Sequence, residues 1–158
     1  MPVADAEKSG TSANSYIGTV DADDYFDDLY GAEEWTPLVE DDKERLLITA
    51  TKMIDRLSVG YDKAVDAQKL KFPVTIPSDT DDGWDAVQEA CCLQALYLLN
   101  NNDAIQEALN ITIQGVKSES LSSVSKSTTG YNSFRRFHPD VLKLLAKYID
   151  LDFKTYRG

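Results

Sequence analysis

Most of the residue patterns that mark an enzyme are missing from this sequence of 158 residues. There is a single histidine, His138, and no glycine-rich phosphate loop, no serine nucleophile elbow and no Cys/His spacing typical of a zinc site. His138 stands directly before Pro139, a place that suits a helix cap better than a catalytic base. We therefore expect a protein that is not an enzyme, with no catalytic residue, no metal site and no cofactor.

Cysteines and long apolar runs are also scarce. Cys91 and Cys92 are the two cysteines, and neighbours in a helix point in different directions and cannot easily form a disulfide. We expect both to pack in the core, as fits a reducing cytoplasm with no signal peptide. The most apolar stretch, residues 84–99, is too short and too closely flanked by acids to span a bilayer, so no membrane is expected.

Positive charge is in short supply. There are 16 lysines and arginines against 27 aspartates and glutamates, a net charge of −11. The imbalance lies in residues 1–90, with 21 acidic and 8 basic residues, whereas residues 91–158 carry 6 acidic and 8 basic residues. Such a chain repels phosphate and is a poor non-specific binder of nucleic acid.

Residues 84–99 read as the central helix of a small helical domain. Apolar side chains cover most of its faces from Ala90 onward, interrupted by Gln94. A helix that is apolar on most sides needs neighbours on most sides. We expect it to begin after Gly83 and to be stopped by Asn100, Asn101 and Asn102, with a short helix to follow.

Two amphipathic helices precede it. Thr19 is the expected cap of the first, which has a face of aspartates opposite its apolar face. The second is expected at about residues 42–58, after a capping box formed by Asp41 and Glu44. Ile48 falls outside the apolar arc of this second helix and is either a surface residue or a contact with another subunit.

The C-terminal third has weaker signals. Residues 111–116 and 121–125 read as two strands of a hairpin, and a last helix begins near Pro139. The predicted fold class is mainly α, a small helical bundle of about four helices with a β-hairpin and extended N- and C-terminal arms. We expect one domain, 1–158, made of five segments: an N-terminal arm at 1–18, a helical core at 19–109, a hairpin and linker at 110–130, the last helix at 137–149 and a C-terminal tail at 150–158.

One cluster combines basic and aromatic residues. Arg135 and Arg136 are flanked by Phe134 and Phe137, so the four side chains could stack on bases or pair with a carboxylate. Two arginines give only a small electrostatic footprint for nucleic acid.

Several short motifs, in their order along the chain, resemble the head–tail connector adaptor, or head-completion, proteins of tailed bacteriophages. Some members of that group are labelled DnaT-like single-stranded-DNA-binding proteins. The motifs that carry the resemblance are Gly10 through Ala13-Asn14-Ser15-Tyr16, Ala22-Asp23-Asp24-Tyr25-Phe26, Trp35, Ala50-Thr51-Lys52-Met53-Ile54-Asp55, Gln68-Lys69-Leu70-Lys71-Phe72-Pro73, Val87-Gln88-Glu89-Ala90, Gly115-Val116-Lys117-Ser118-Glu119 and Leu144-Leu145. Val74 departs from the pattern where an arginine often stands, and Trp84 replaces a common proline.

The resemblance implies a structural protein of the virion neck, made in the cytoplasm of the host bacterium. Its expected partners are the portal protein, copies of itself in a ring of twelve, a tail or stopper/nozzle protein, and genomic double-stranded DNA that passes through the channel without specific binding. The tail is the candidate portal contact, through Leu151, Phe153, Tyr156 and Arg157. The candidate contacts between subunits are Tyr16, Ile17, Ile48, Ile111, Ile113, Val116, Leu121 and Val124.

The alternative is the literal label, a single-stranded-DNA-binding protein. Phe134, Arg135, Arg136 and Phe137 would then be the contact with nucleic acid. The net charge favours the connector, and a salt titration of DNA affinity distinguishes the two functions.

Overall fold

The computed structural model describes residues 1–113, 120–121, 124–125 and 136–150, and within its longest helix it describes side chains through residue 102. These residues contain four helices and two short antiparallel strand pairs. In chain order they are α1 (Thr19–Asp27), α2 (Glu40–Ile54), β1 (Asp62–Lys63), β2 (Val74–Thr75), α3 (Trp84–Ile113), β3 (Ser120–Leu121), β4 (Val124–Ser125) and α4 (Pro139–Leu145). The predicted mainly α fold with a hairpin is confirmed.

Helix α3 is the centre of the bundle, packing against α1, α2 and α4. Its Val87, Ala90 and Cys91 are fully buried, and they meet Leu47 and Ala50 of α2 in the core. Burial raises the pKa of the Cys91 thiol to about 11, so Cys91 is a neutral core side chain. The apolar spacing of α2 and α3 therefore predicted their buried faces correctly.

The interruption expected at the asparagines is also present. Asn101 has φ −127° and ψ 21°, outside the helical region, and α3 bends there. Its side-chain amide donates to the Tyr97 carbonyl at 3.0 Å, one turn back. The chain then returns to helix through Ile113, so Ile111 and Ile113 lie in a helix and the strand predicted at 111–116 is wrong. The β-branched residues favour a strand, but continuation of a formed helix outweighs that preference.

Three further sequence predictions need correction. Thr19 is the first residue of α1, whose cap is Gly18, and α2 begins at Glu40 after Val39 and ends at Ile54. Neither helix has a side-chain cap hydrogen bond, so the predicted cap at Thr19 and the capping box are wrong. The hairpin is tighter than expected: β3 and β4 pair with Ser120 opposite Ser125 and Leu121 opposite Val124, so both strands fall within residues 120–125, where a single strand was predicted at 121–125.

The N-terminal arm contains no helix or strand over residues 1–18, and it docks on the bundle. Tyr16 is fully buried; its backbone N–H donates to Thr51 Oγ1 at 3.1 Å and its hydroxyl donates to Asp55. Ile17 is buried as well, so both side chains lie inside the core of this chain. Burial and the neighbouring Asp55 carboxylate raise the pKa of the Tyr16 hydroxyl, which stays protonated.

Candidate functional site

The structure describes half of the predicted basic–aromatic cluster. Arg136 and Phe137 lie just before α4, both half-buried, and Phe137 packs against the edge of the core. Phe134 and Arg135 lie outside the described residues. The Phe137 ring therefore packs against the protein, and Arg136 is the polar residue of the described pair.

A buried side chain of α3 fixes the position of Arg136. Gln94, which is fully buried, donates from Nε2 to the Arg136 carbonyl at 2.7 Å and accepts from the His138 N–H on Oε1 at 2.9 Å. One amide thus satisfies two backbone groups that the core would otherwise leave unpaired. The single polar residue in the apolar half of the central helix is what attaches the segment that carries Arg136.

Arg136 lines a groove between α2 and α3 with a volume of about 590 Å³. We call it the arginine groove and define it by its eleven lining residues: Leu38, Asp42, Arg45, Leu46, Thr49, Met53, Arg56, Leu98, Leu99, Asn102 and Arg136. Three arginines and one aspartate give it a local charge of +2 on a chain of net charge −11. Leucines and one methionine supply apolar wall between the charges.

Helix α2 and the turn that follows it supply two of these arginines. Arg45, Lys52 and Arg56 are separated by seven and four residues, which places them along one line of a helix. Arg56 follows the end of α2 in a turn whose N–H donates to the Met53 carbonyl at 3.3 Å. This spacing could have revealed a basic stripe in the sequence. The sequence does not show that this stripe and Arg136 line the same groove, because they lie in distant parts of the chain.

Apart from Lys52, the lysines in the described residues form ion pairs or hydrogen bonds within the fold. Four of them form ion pairs with aspartates: Lys8, Lys43, Lys143 and Lys147. Three donate hydrogen bonds to backbone carbonyls: Lys63, Lys69 and Lys71. Arg45 pairs with Asp42 at 3.1 Å, at the edge of the groove. Among the described residues, the side chains of Arg56, Arg136 and Lys52 have no such partner, and the Arg136 Nε is buried without a hydrogen bond. Of these three side chains, Arg56 and Arg136 line the arginine groove.

The remaining predicted contact residues are scattered. Ile48 is half-buried on α2, while Tyr16 and Ile17 are used inside the core. Leu121 and Val124 are register partners in the β3–β4 pair, and the side chains of these two residues, like those of Ile111 and Ile113 in α3, are outside the description. Val116 and the candidate portal contacts Leu151, Phe153, Tyr156 and Arg157 lie outside the described residues. Contacts of these residues with other chains stay predictions.

His138 has a structural role. Its Nδ1 accepts the Asp140 N–H at 3.1 Å, which makes it the N-terminal cap of α4, as the sequence indicated. In residues 1–102 and 136–150, no group of three or more His, Cys, Asp or Glu side chains is arranged to hold a metal ion. No helix within the described part combines the length and the hydropathy needed to cross a bilayer.

A family model described as "Putative DnaT-like ssDNA binding protein" matches residues 1–157, essentially the whole chain. No curated protein matches the chain, and no solved structure matches it either.

Proposed function

The chain belongs to the DnaT-like ssDNA-binding family, and from that premise we propose that it binds single-stranded DNA in the arginine groove. The observation that carries the proposal is the convergence of Arg45, Arg56 and Arg136 on one groove of an otherwise acidic protein. They are the three arginines of the described residues, and they come from two distant parts of the sequence.

The chemistry of the groove suits a single strand better than a duplex. Guanidinium groups pair with phosphate through two parallel hydrogen bonds, and their flat faces also stack on bases. Leu46 and Met53 add apolar surface at the same place. An unpaired strand exposes phosphates and base faces together, whereas a duplex hides the base faces by stacking. Acidic surface elsewhere repels phosphate and restricts binding to the groove.

Fluorescence anisotropy with a labelled oligonucleotide of mixed sequence, single-stranded and then annealed to its complement, tests this proposal. We expect the single strand to bind more tightly than the duplex. Arg56→Gln removes an exposed cation of the groove, and we expect it to weaken binding about tenfold, as for loss of one charged hydrogen-bonding group. Lys143→Gln removes an exposed cation of α4, paired with Asp140, and serves as the matched control.

The control should change the affinity less than twofold. Equal effects of Arg56→Gln and Lys143→Gln would mean that any binding is diffuse and that the arginine groove is not the site. Absence of binding by the wild-type protein at low salt would overturn the proposed function itself.

A second candidate is the structural connector of a phage neck, which the sequence resemblance implies. The observation that favours it is the net charge of −11, because an acidic channel wall would keep passing DNA from adhering. The half-buried Ile48 and the apolar wall of the arginine groove would then contact neighbouring copies. Electron microscopy of virions with antibody-labelled protein tests this candidate: label at the neck supports it, and label absent from virions refutes it.

A further inference from the structure

Among the described residues, Asp42 is the one acidic side chain that lines the arginine groove. Its Oδ1 accepts a hydrogen bond from Nη1 of Arg45 at 3.1 Å, and half of the side chain remains exposed. A carboxylate has two oxygens and about four lone pairs, so this contact leaves Oδ2 without a partner among the described residues. The groove therefore contains an unused acceptor among its cations.

An acid beside a phosphate-binding site weakens phosphate binding by like-charge repulsion. Asp42 can contribute to binding only by accepting hydrogen bonds from a part of the ligand that carries donors. In a single strand those donors lie on the Watson–Crick edges of the bases, since phosphate oxygens are acceptors. The apolar wall at Leu46 and Met53 provides surface for such a base beside the acid.

The four bases differ in what they offer a carboxylate. Guanine presents two neighbouring donors, N1–H and the exocyclic N2 amino group. Adenine and cytosine place a ring-nitrogen acceptor beside their amino group, and thymine flanks its one N–H with two carbonyl oxygens. Only guanine can therefore donate to both oxygens of a carboxylate without bringing an acceptor close to it.

We propose that Asp42 makes the arginine groove selective for guanine, by accepting hydrogen bonds from its N1–H and N2 amino groups while the arginines hold the neighbouring phosphates. This inference rests on the proposed function, since it names the base that the same groove prefers. Arg45 positions the carboxylate through their mutual hydrogen bond.

The test uses single-stranded thymidine oligonucleotides with one central guanine, hypoxanthine or adenine. Hypoxanthine differs from guanine only by lacking the N2 amino group. For the wild-type protein we expect the guanine oligonucleotide to bind roughly tenfold more tightly than the hypoxanthine one, the discrimination typical of a lost base contact. Adenine should bind no better than hypoxanthine.

Two variants separate the role of Asp42 from the loss of a charge. Asp42→Asn should reduce the guanine preference to within about twofold. Asp41→Asn removes the same charge from the same first turn of α2, with the same loss of interaction with the helix dipole, but from a residue that does not line the groove. This control should retain the preference.

The outcomes are distinguishable. Equal wild-type binding of the guanine and hypoxanthine oligonucleotides would overturn the guanine inference and leave single-strand binding in place. The same loss of preference in both aspartate variants would also overturn it. If the wild-type protein binds none of the oligonucleotides, the proposed function fails and the guanine inference fails with it.

Discussion

Gln94 links the core to the arginine groove, and its replacement is a sharp test of the structure. Gln94→Leu keeps the size of the side chain but leaves the Arg136 carbonyl and the His138 N–H without their partner. An unsatisfied buried group costs about 1–3 kcal/mol, and the added apolar surface returns about 1 kcal/mol. Because two groups lose their partner, we expect the free energy of unfolding to fall by roughly 1–5 kcal/mol.

Urea unfolding followed by circular dichroism measures this change. Gln88→Leu, on the same helix but partly exposed and outside the hydrogen bonds described here, is the matched control and should change stability by less than about 0.5 kcal/mol. Because Gln94 also positions Arg136, the folded variant should bind single-stranded DNA more weakly than Gln88→Leu. Equal stabilities for the two variants would refute the role assigned to the Gln94 amide.

Two further predictions concern the loop that leads into α3. Lys147 bridges Asp79 and Asp81 at 2.9 and 2.8 Å, and its hydrogen bonds lower the pKa of both carboxyls. Stability should therefore be lost as the pH falls below about 4, and Lys147→Gln should flatten that loss in urea unfolding at stepwise pH; an unchanged profile would contradict the assignment. Gly83 has φ +72°, and a Cβ there would lie 2.9 Å from the Phe72 ring, so Gly83→Ala should lower the unfolding free energy by roughly 1–3 kcal/mol, measured in the same way. A stability equal to wild type would contradict this prediction, because the positive φ strains an alanine even if the ring moves aside.

The helices were predictable where a repeating pattern specifies them. The apolar arcs of α2 and α3 follow the helical period over several turns, and the change of direction at Asn101 follows from a run of asparagines. Helix starts were less predictable, since α2 begins at Glu40 without any side-chain cap. A residue that favours caps indicates only where a helix can begin.

The candidate site was only partly predictable. Arg136 was identified from its neighbours in sequence, and Arg45 and Arg56 share a helical stripe that the sequence contains. Their meeting depends on the packing of α2 against α3 and on the hydrogen bonds of Gln94 to the segment before α4. Such contacts join residues 40 or more positions apart, as between Thr51 and Cys91 or Gln94 and Arg136, and no local pattern specifies them.

The salt dependence of single-strand binding tests the central claim most directly. If three arginines of the groove each neutralise one phosphate, a plot of log affinity against log salt should have a slope of about −2 for the wild-type protein. The variant with Arg45, Arg56 and Arg136 all changed to glutamine, shown to be folded by circular dichroism, should bind far more weakly with a slope near zero. A variant that keeps the wild-type affinity and slope would contradict the assignment of single-strand binding to the arginine groove.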